Sequence, residues 1–87
     1  MVQSDIYEKL VNKYGKEHQL IVTFGELSEA SSEIAKHMLP HRAHDEADLI
    51  DELADVCIMM EQMKVVYGVT LIDAINKKLD KAAKYLK

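Results

Sequence analysis

Two short acidic stretches hold the side chains best suited to chemistry: Gly25-Glu26-Leu27-Ser28-Glu29 and Asp51-Glu52-Leu53-Ala54-Asp55. In each, two carboxylates stand three residues apart, which on a helix sets them on one face, one turn from each other. Both stretches lie in apolar sequence, with Leu20, Ile21, Val22 and Phe24 before the first and Val56 through Met60 after the second. Carboxylates turned into one bundle repel strongly. Either these acids are solvated helix faces, or a divalent cation sits among Glu26, Glu29, Glu52 and Asp55. The second reading is pursued here. An all-oxygen set with no His at the i+3 place selects Mg²⁺, or Mn²⁺, over zinc, and it lacks the Glu-x-x-His pairs of a di-iron site. Magnesium keeps several waters and commonly shares its shell with phosphate oxygens, so metal-assisted attack on a phosphoanhydride is the chemistry expected.

The elements that must position these acids are helices. Ser4 reads as the N-cap of a short first helix that carries Ile6, Leu10 and Val11 and stops at Gly15. A second helix runs from about Lys16 to Met38, with Leu20, Phe24, Leu27, Ile34 and Met38 at helical period and Ile21 and Ala35 flanking. Glu26, Glu29 and Glu33 share a separate face of it. Pro40 closes it, and 41–45 reads as a loop. The third helix starts near 45–47, is acidic in its first half, and ends at Gly68. From Val56 to Met60 it is apolar on every side, which predicts a central, surrounded helix. Thr70 to Asp73 reads as a capping box opening a fourth, basic, amphipathic helix to about Leu86. With short connections, the expectation is an all-α, four-helix up-and-down bundle, and the turn between the two acidic helices makes them antiparallel neighbours.

Bulk properties fit one domain over residues 1–87. With no Trp and one Phe, the core must be aliphatic and Met-rich. A net charge of −4 argues against nucleic acid as the main partner. The lone Cys57 excludes an internal disulfide framework, fits a reducing compartment, and is expected to be buried and inert. Residues 1–10 lack the apolar core of a signal peptide, and no apolar run is long enough to span a membrane, so a cytoplasmic protein is expected.

The two acidic motifs and their surroundings resemble the MazG-like all-α nucleotide pyrophosphohydrolases. That family's pattern is Glu-Glu-x-x-Glu, a spacer, then Glu-x-x-Asp. Here it reads Gly25-Glu26-Leu27-Ser28-Glu29, 22 residues, then Glu52-Leu53-Ala54-Asp55, and the stretch from Ala54 to Met63 is especially similar to the short, phage-type members. The similarity covers roughly residues 19–67 well and the last helix loosely. It implies a helical fold, oligomerisation, and Mg²⁺-dependent hydrolysis of a nucleoside triphosphate to monophosphate and pyrophosphate. Carried over residue by residue, it implies Glu26, Glu29, Glu52 and Asp55 as the metal ligands and catalytic acids. One departure stands out: the first Glu of the pattern is Gly25 here. That Glu is a candidate for orienting or deprotonating the attacking water. A catalytically degenerate helical binding or regulatory module is therefore the alternative, and a carboxylate-bridged redox protein a third.

A triphosphate needs cationic partners. Lys36, two turns beyond Glu29, and Arg42 in the following loop are candidates, Arg by bidentate grip and Lys as a point charge. Lys78, with Lys81, matches a loosely basic family position. For each of these three the plainer reading is surface charge. Glu33 could help position water, Asn76 could meet a base edge, and Met59, Met60 and Met63 either line a base pocket or pack the core. His37, His41 and His44 lack a nearby Cys to complete a structural zinc set, and they read as pH-sensitive charge in a loop. So apolar a third helix in so small a chain leaves surface to cover, and a homodimer or a tetramer of two dimers would cover it.

Overall fold

The computed structural model describes residues 3–40 and 45–86. Four α-helices follow one another: α1 (Gln3–Tyr14), α2 (Lys16–His37), α3 (Glu46–Tyr67) and α4 (Val69–Ala83), with a 3₁₀ turn at Lys84–Leu86. No strand occurs among the described residues, and no helix there is long and apolar enough to cross a membrane.

Two glycines set the breaks. Gly15 (φ 87°) and Gly68 (φ 57°) adopt left-handed backbone that costs a side-chain-bearing residue dearly. Each closes the helix before it by an N–H···O bond of 2.8 Å, Gly15 to Val11 and Gly68 to Lys64, and the next helix starts at once. At the head of α3 the Asp45 carboxylate accepts the Ala47 N–H at 2.9 Å, and Glu46 and Asp48 complement the helix dipole in the first turn. His41, Arg42 and His44 lie outside the described residues.

The frame is the α2/α3 pair. Its antiparallel register can be read from three facing pairs whose residue numbers share one sum: Gln19 with Gln62, Glu26 with Asp55, and Glu29 with Glu52. Helix α1 packs on α3 and α2, while α4 packs on α3 and not on α2 or α1, so the bundle is open on that side. A Cα radius of gyration of 15.8 Å, against the roughly 12 Å of a compact 87-residue domain, expresses the same openness.

What fills the α2/α3 seam is unusual. Among the described residues the buried apolar side chains are Ala30, Met59 and Met63, and beside them lie Gln19, Thr23, Glu33 and Gln62. Gln62 is 1% exposed. Its Oε1 accepts from Gln19 Nε2 at 2.6 Å, and its amide donates to the Ile58 carbonyl and the Met59 sulfur. Gln19 Oε1 in turn pairs with His18 Nδ1 at 2.7 Å, and Thr23 Oγ1 donates to the Gln19 carbonyl. A buried amide pair satisfied on both sides fixes register, because sliding one helix by a turn would leave desolvated polar groups unpaired.

Several expectations are corrected. Helix α1 begins at Gln3, before Ser4, so Ser4 is inside the first turn and is not its cap. Gly68 serves as both the end of α3 and the start of α4, which places Thr70 inside α4 and leaves no capping box there. The stretch Val56–Met60 is not surrounded: Met59 is buried, but Cys57, Ile58 and Met60 are exposed, because among the described residues that side of α3 is left largely uncovered, Ile58 sharing only an open cavity with Ile6, Tyr7 and Leu10 of α1. Cys57 is thus an exposed thiol. Most telling, the apolar stripe of α2 faces outward and the acid-bearing face inward, with Phe24 and Met38 each about three-quarters exposed at 74% and 76%.

Candidate metal centre

Seven residues are two helical turns, so Gln19, Glu26 and Glu33 form one column on α2, and Asp55 and Gln62 one column on α3. The glutamine pair that locks the register therefore dictates what lies opposite what two turns away: Glu26 meets Asp55, and a turn further Glu29 meets Glu52. One carboxylate oxygen from each of Glu26, Glu52 and Asp55 lies within 4.8 Å of the other two. Glu26 and Glu52 are half-buried, and Asp55 is exposed at the rim. Glu29, also exposed, stands opposite Glu52, and its negative charge acts on both Glu52 and Glu26.

Electrostatically the cluster is under tension. Burial pushes the Glu26 carboxyl above its ordinary value of 4.5, and the negative charges of Asp55 and Glu29 push it further. Glu52 is raised for the same first reason, then by Glu29, Asp55 and Glu26. Glu26 Oε2 and Glu52 Oε2 are both buried without a hydrogen-bond partner among the described residues. Buried carboxylate oxygens with neither donor nor cation are costly. A hard divalent ion answers all of these features at once: it supplies the opposite charge, takes oxygen ligands, and tolerates the water that an open rim admits. Glu26, Glu52 and Asp55 fit that role, with Glu29 as the adjoining fourth oxygen donor.

The other predicted residues stand differently. Lys36 Nζ donates to Glu33 Oε2 at 3.4 Å, so it is drawn to the next acid along α2, away from the trio. Glu33 is itself buried, with the His37 ring 4.0 Å away. Arg42 falls outside the described residues. Lys78 is exposed on α4, a helix that does not pack against α2. Asn76 is exposed on the same helix. Met59 and Met63 are core, and Met60 is exposed. The Gln19–Gln62 pair was not foreseen from sequence. Its signal was present, in a glutamine at the head of the apolar stretch Leu20–Val22 and another beside Met63, each two turns along the helix from an acid of the cluster.

The raised carboxyls give a pH prediction. Between 4.5 and the raised values the native state binds more protons than the unfolded chain, so this contribution to stability is present at the low end and lost as pH climbs through the native pKa values. Metal-free protein should therefore melt at a lower temperature at about pH 8 than at about pH 5, with the slope flattened in a Glu26→Gln, Glu52→Gln double variant. Adding Mg²⁺ should recover the loss at pH 8 in the parent only. Thermal melts in EDTA and in Mg²⁺ read this directly, and parallel curves for parent and variant would count against the cluster.

Comparison with known proteins returns nothing: no family model, no curated protein and no solved structure matches this chain.

Proposed function

We propose that the chain is a magnesium-dependent nucleoside triphosphate pyrophosphohydrolase of MazG-like type, releasing pyrophosphate and a nucleoside monophosphate. The observation that carries this reading is the crowding of the Glu26, Glu52 and Asp55 oxygens within 4.8 Å across two helices, with two of the carboxylates holding buried oxygens that lack partners. Glu26, Glu29, Glu52 and Asp55 would hold Mg²⁺, or Mn²⁺ in its place. Bound there, the ion would neutralise phosphate oxygens and lower the pKa of an attacking water. The chain's own share is to fix the acids on two rigid helices, pinned by the Gln19–Gln62 pair, and to leave the Asp55 side open for a large anionic substrate. Lys36, Arg42 and Lys78 are the cations proposed to meet the phosphates. The working assembly is proposed to be a homodimer or tetramer in the cytoplasm, with neither membrane nor nucleic acid as partner.

A second reading rests on one observation. Gly25 leaves the family's first Glu without a counterpart, which favours a degenerate module that keeps the ion and lacks turnover. A screen of standard and modified nucleoside triphosphates with Mg²⁺ or Mn²⁺, monitored by pyrophosphate, separates the two. Release dependent on the metal is expected. A metal-induced rise in melting temperature with no release for any nucleotide would select the module, and neither effect would overturn the metal centre itself.

A further inference from the structure

Helix α1 packs on α3, yet the two do not close fully on each other. Between them lies an open cleft of about 280 Å³, lined by Ile6, Tyr7, Leu10 and Ile58. Ile6, Tyr7 and Leu10 share one face of α1, because Leu10 stands four and three residues beyond the other two. Ile6 and Ile58 are exposed, and Tyr7 and Leu10 are half-buried, so the packed helices leave these side chains without cover on the cleft side. None of the four carries a charge, and the Tyr7 hydroxyl is their one polar side-chain group. The backbone behind them is helical and engages its own N–H and C=O groups.

What adjoins the cleft indicates its occupant. Ile58 follows Asp55 by three residues, so the two are neighbours on the surface of α3, about 4.5 Å apart along its axis. The cleft therefore borders the exposed Asp55 side of the acid cluster, the side left open to substrate. A nucleoside triphosphate divides its chemistry in the same way: the phosphates call for the ion, and the base is a flat, uncharged ring. The cleft lies just under the roughly 300–1,000 Å³ of small-molecule pockets, which suits one ring system and not the whole nucleotide. The other candidate places for a base are less suited. Met59 and Met63 are packed in the α2/α3 seam, and Asn76 stands on α4, which packs on neither α1 nor α2.

We propose that the cleft between α1 and α3 is the ring subsite of this site, with the base among Ile6, Leu10 and Ile58, its face on the Tyr7 ring, and the triphosphate reaching the Glu26, Glu52 and Asp55 cluster one turn away. The subsite reads the face of the base and not its edge. Bases are told apart by the donors and acceptors along their edges, and four side chains with one hydroxyl among them do not match such a set. Stacking accepts any base, because every base has a π-face. The inference rests on the hydrolase reading for its substrate and adds where the base lies and how little of it is read.

With Mg²⁺, pyrophosphate release from adenosine, guanosine, cytidine and uridine triphosphates should give KM values within about tenfold of one another. A benzimidazole nucleoside triphosphate, which keeps the ring face and lacks the exocyclic edge groups, should fall in the same range. Tyr7→Leu should raise KM for all of them by about five- to 150-fold, the loss of one base–aromatic stack, with kcat and the calorimetric Mg²⁺ affinity held. Binding is also read without turnover. Bare nucleosides at millimolar concentration, without metal, should saturably shift the methyl NMR signals of Ile6 and Ile58, and Ile6→Trp, which fills the cleft, should abolish binding. Should either variant unfold, the methyl shifts of the parent chain decide. Release with no methyl shift, a KM unmoved by Tyr7→Leu, or rejection of the benzimidazole nucleotide would overturn the ring subsite and leave the hydrolase standing. Methyl shifts with no release from any nucleotide would keep the subsite and overturn the hydrolase, so the two readings fail separately.

Discussion

Glu52→Gln is expected to abolish magnesium binding and cut pyrophosphate release by at least about a hundredfold, while raising the melting temperature of the metal-free protein. The activity figure follows from metal sites in general, where losing even a group behind a ligand costs 10- to 100-fold, so losing a ligand belongs at or beyond that limit. The stability change runs the opposite way for a reason specific to this cluster. Glu52 faces Glu29 and lies within the field of Glu26 and Asp55, and its Oε2 is buried with no partner. A neutral amide of the same shape removes three like-charge repulsions and can donate to the Glu29 carboxylate. Calorimetric titration with Mg²⁺ and Mn²⁺, pyrophosphate release, and melts in EDTA report the three effects separately. Glu46→Gln, on an exposed carboxylate in the first turn of the same helix, should leave binding and release unchanged. A Glu52→Gln protein that melts lower and still hydrolyses at the parent rate would mean that the acids hold the helices together and do nothing else.

This trade between stability and function also explains how far the sequence could be read. Helix number and extent were legible because their causes are local: left-handed glycines at 15 and 68, an Asx cap at 45, a proline at 40. The pairing of Glu26 and Glu29 with Glu52 and Asp55 was legible only as one of two options, since i, i+3 acids on two antiparallel helices either face one another around a cation or face solvent. The direction in which α2 turns was not legible. Leu20, Phe24, Leu27, Ile34 and Met38 make an apolar stripe, and periodicity says that a stripe is buried without saying by what. Within one chain the default is its own core, yet here the core side is Gln19, Thr23, Glu26 and Glu33. The same gap misplaced Cys57, since a run apolar on all sides implies surroundings that the described residues do not supply. Thr70 failed for a smaller reason: a glycine that can end one helix and begin the next removes the need for a side-chain cap two residues on.

Gly25→Glu is expected to increase magnesium-dependent pyrophosphate release by about a hundredfold, the low end of what a positioned general base contributes. The backbone places no demand for glycine at this position, because Gly25 is helical and the left-handed glycines are 15 and 68. A Cβ built there meets nothing within 4 Å, so a longer side chain has room. Position 25 lies one turn before Glu29 on the shoulder of the acid face, the place from which the proposed reaction would need a carboxylate to act on water. Replacing a helix-interior glycine also stabilises the helix by about 0.5–1 kcal/mol, less a few tenths for a like charge at i+4 from Glu29. Gly25→Ala gains the helix term without the carboxylate, so it should melt higher than the parent and turn over at the parent rate. Gly25→Gln should behave like Gly25→Ala, since its amide can position water but cannot accept the proton. If Gly25→Glu and Gly25→Ala are equally stabilised and equally slow, the acid cluster serves an ion without turnover, and the module reading takes the place of the hydrolase.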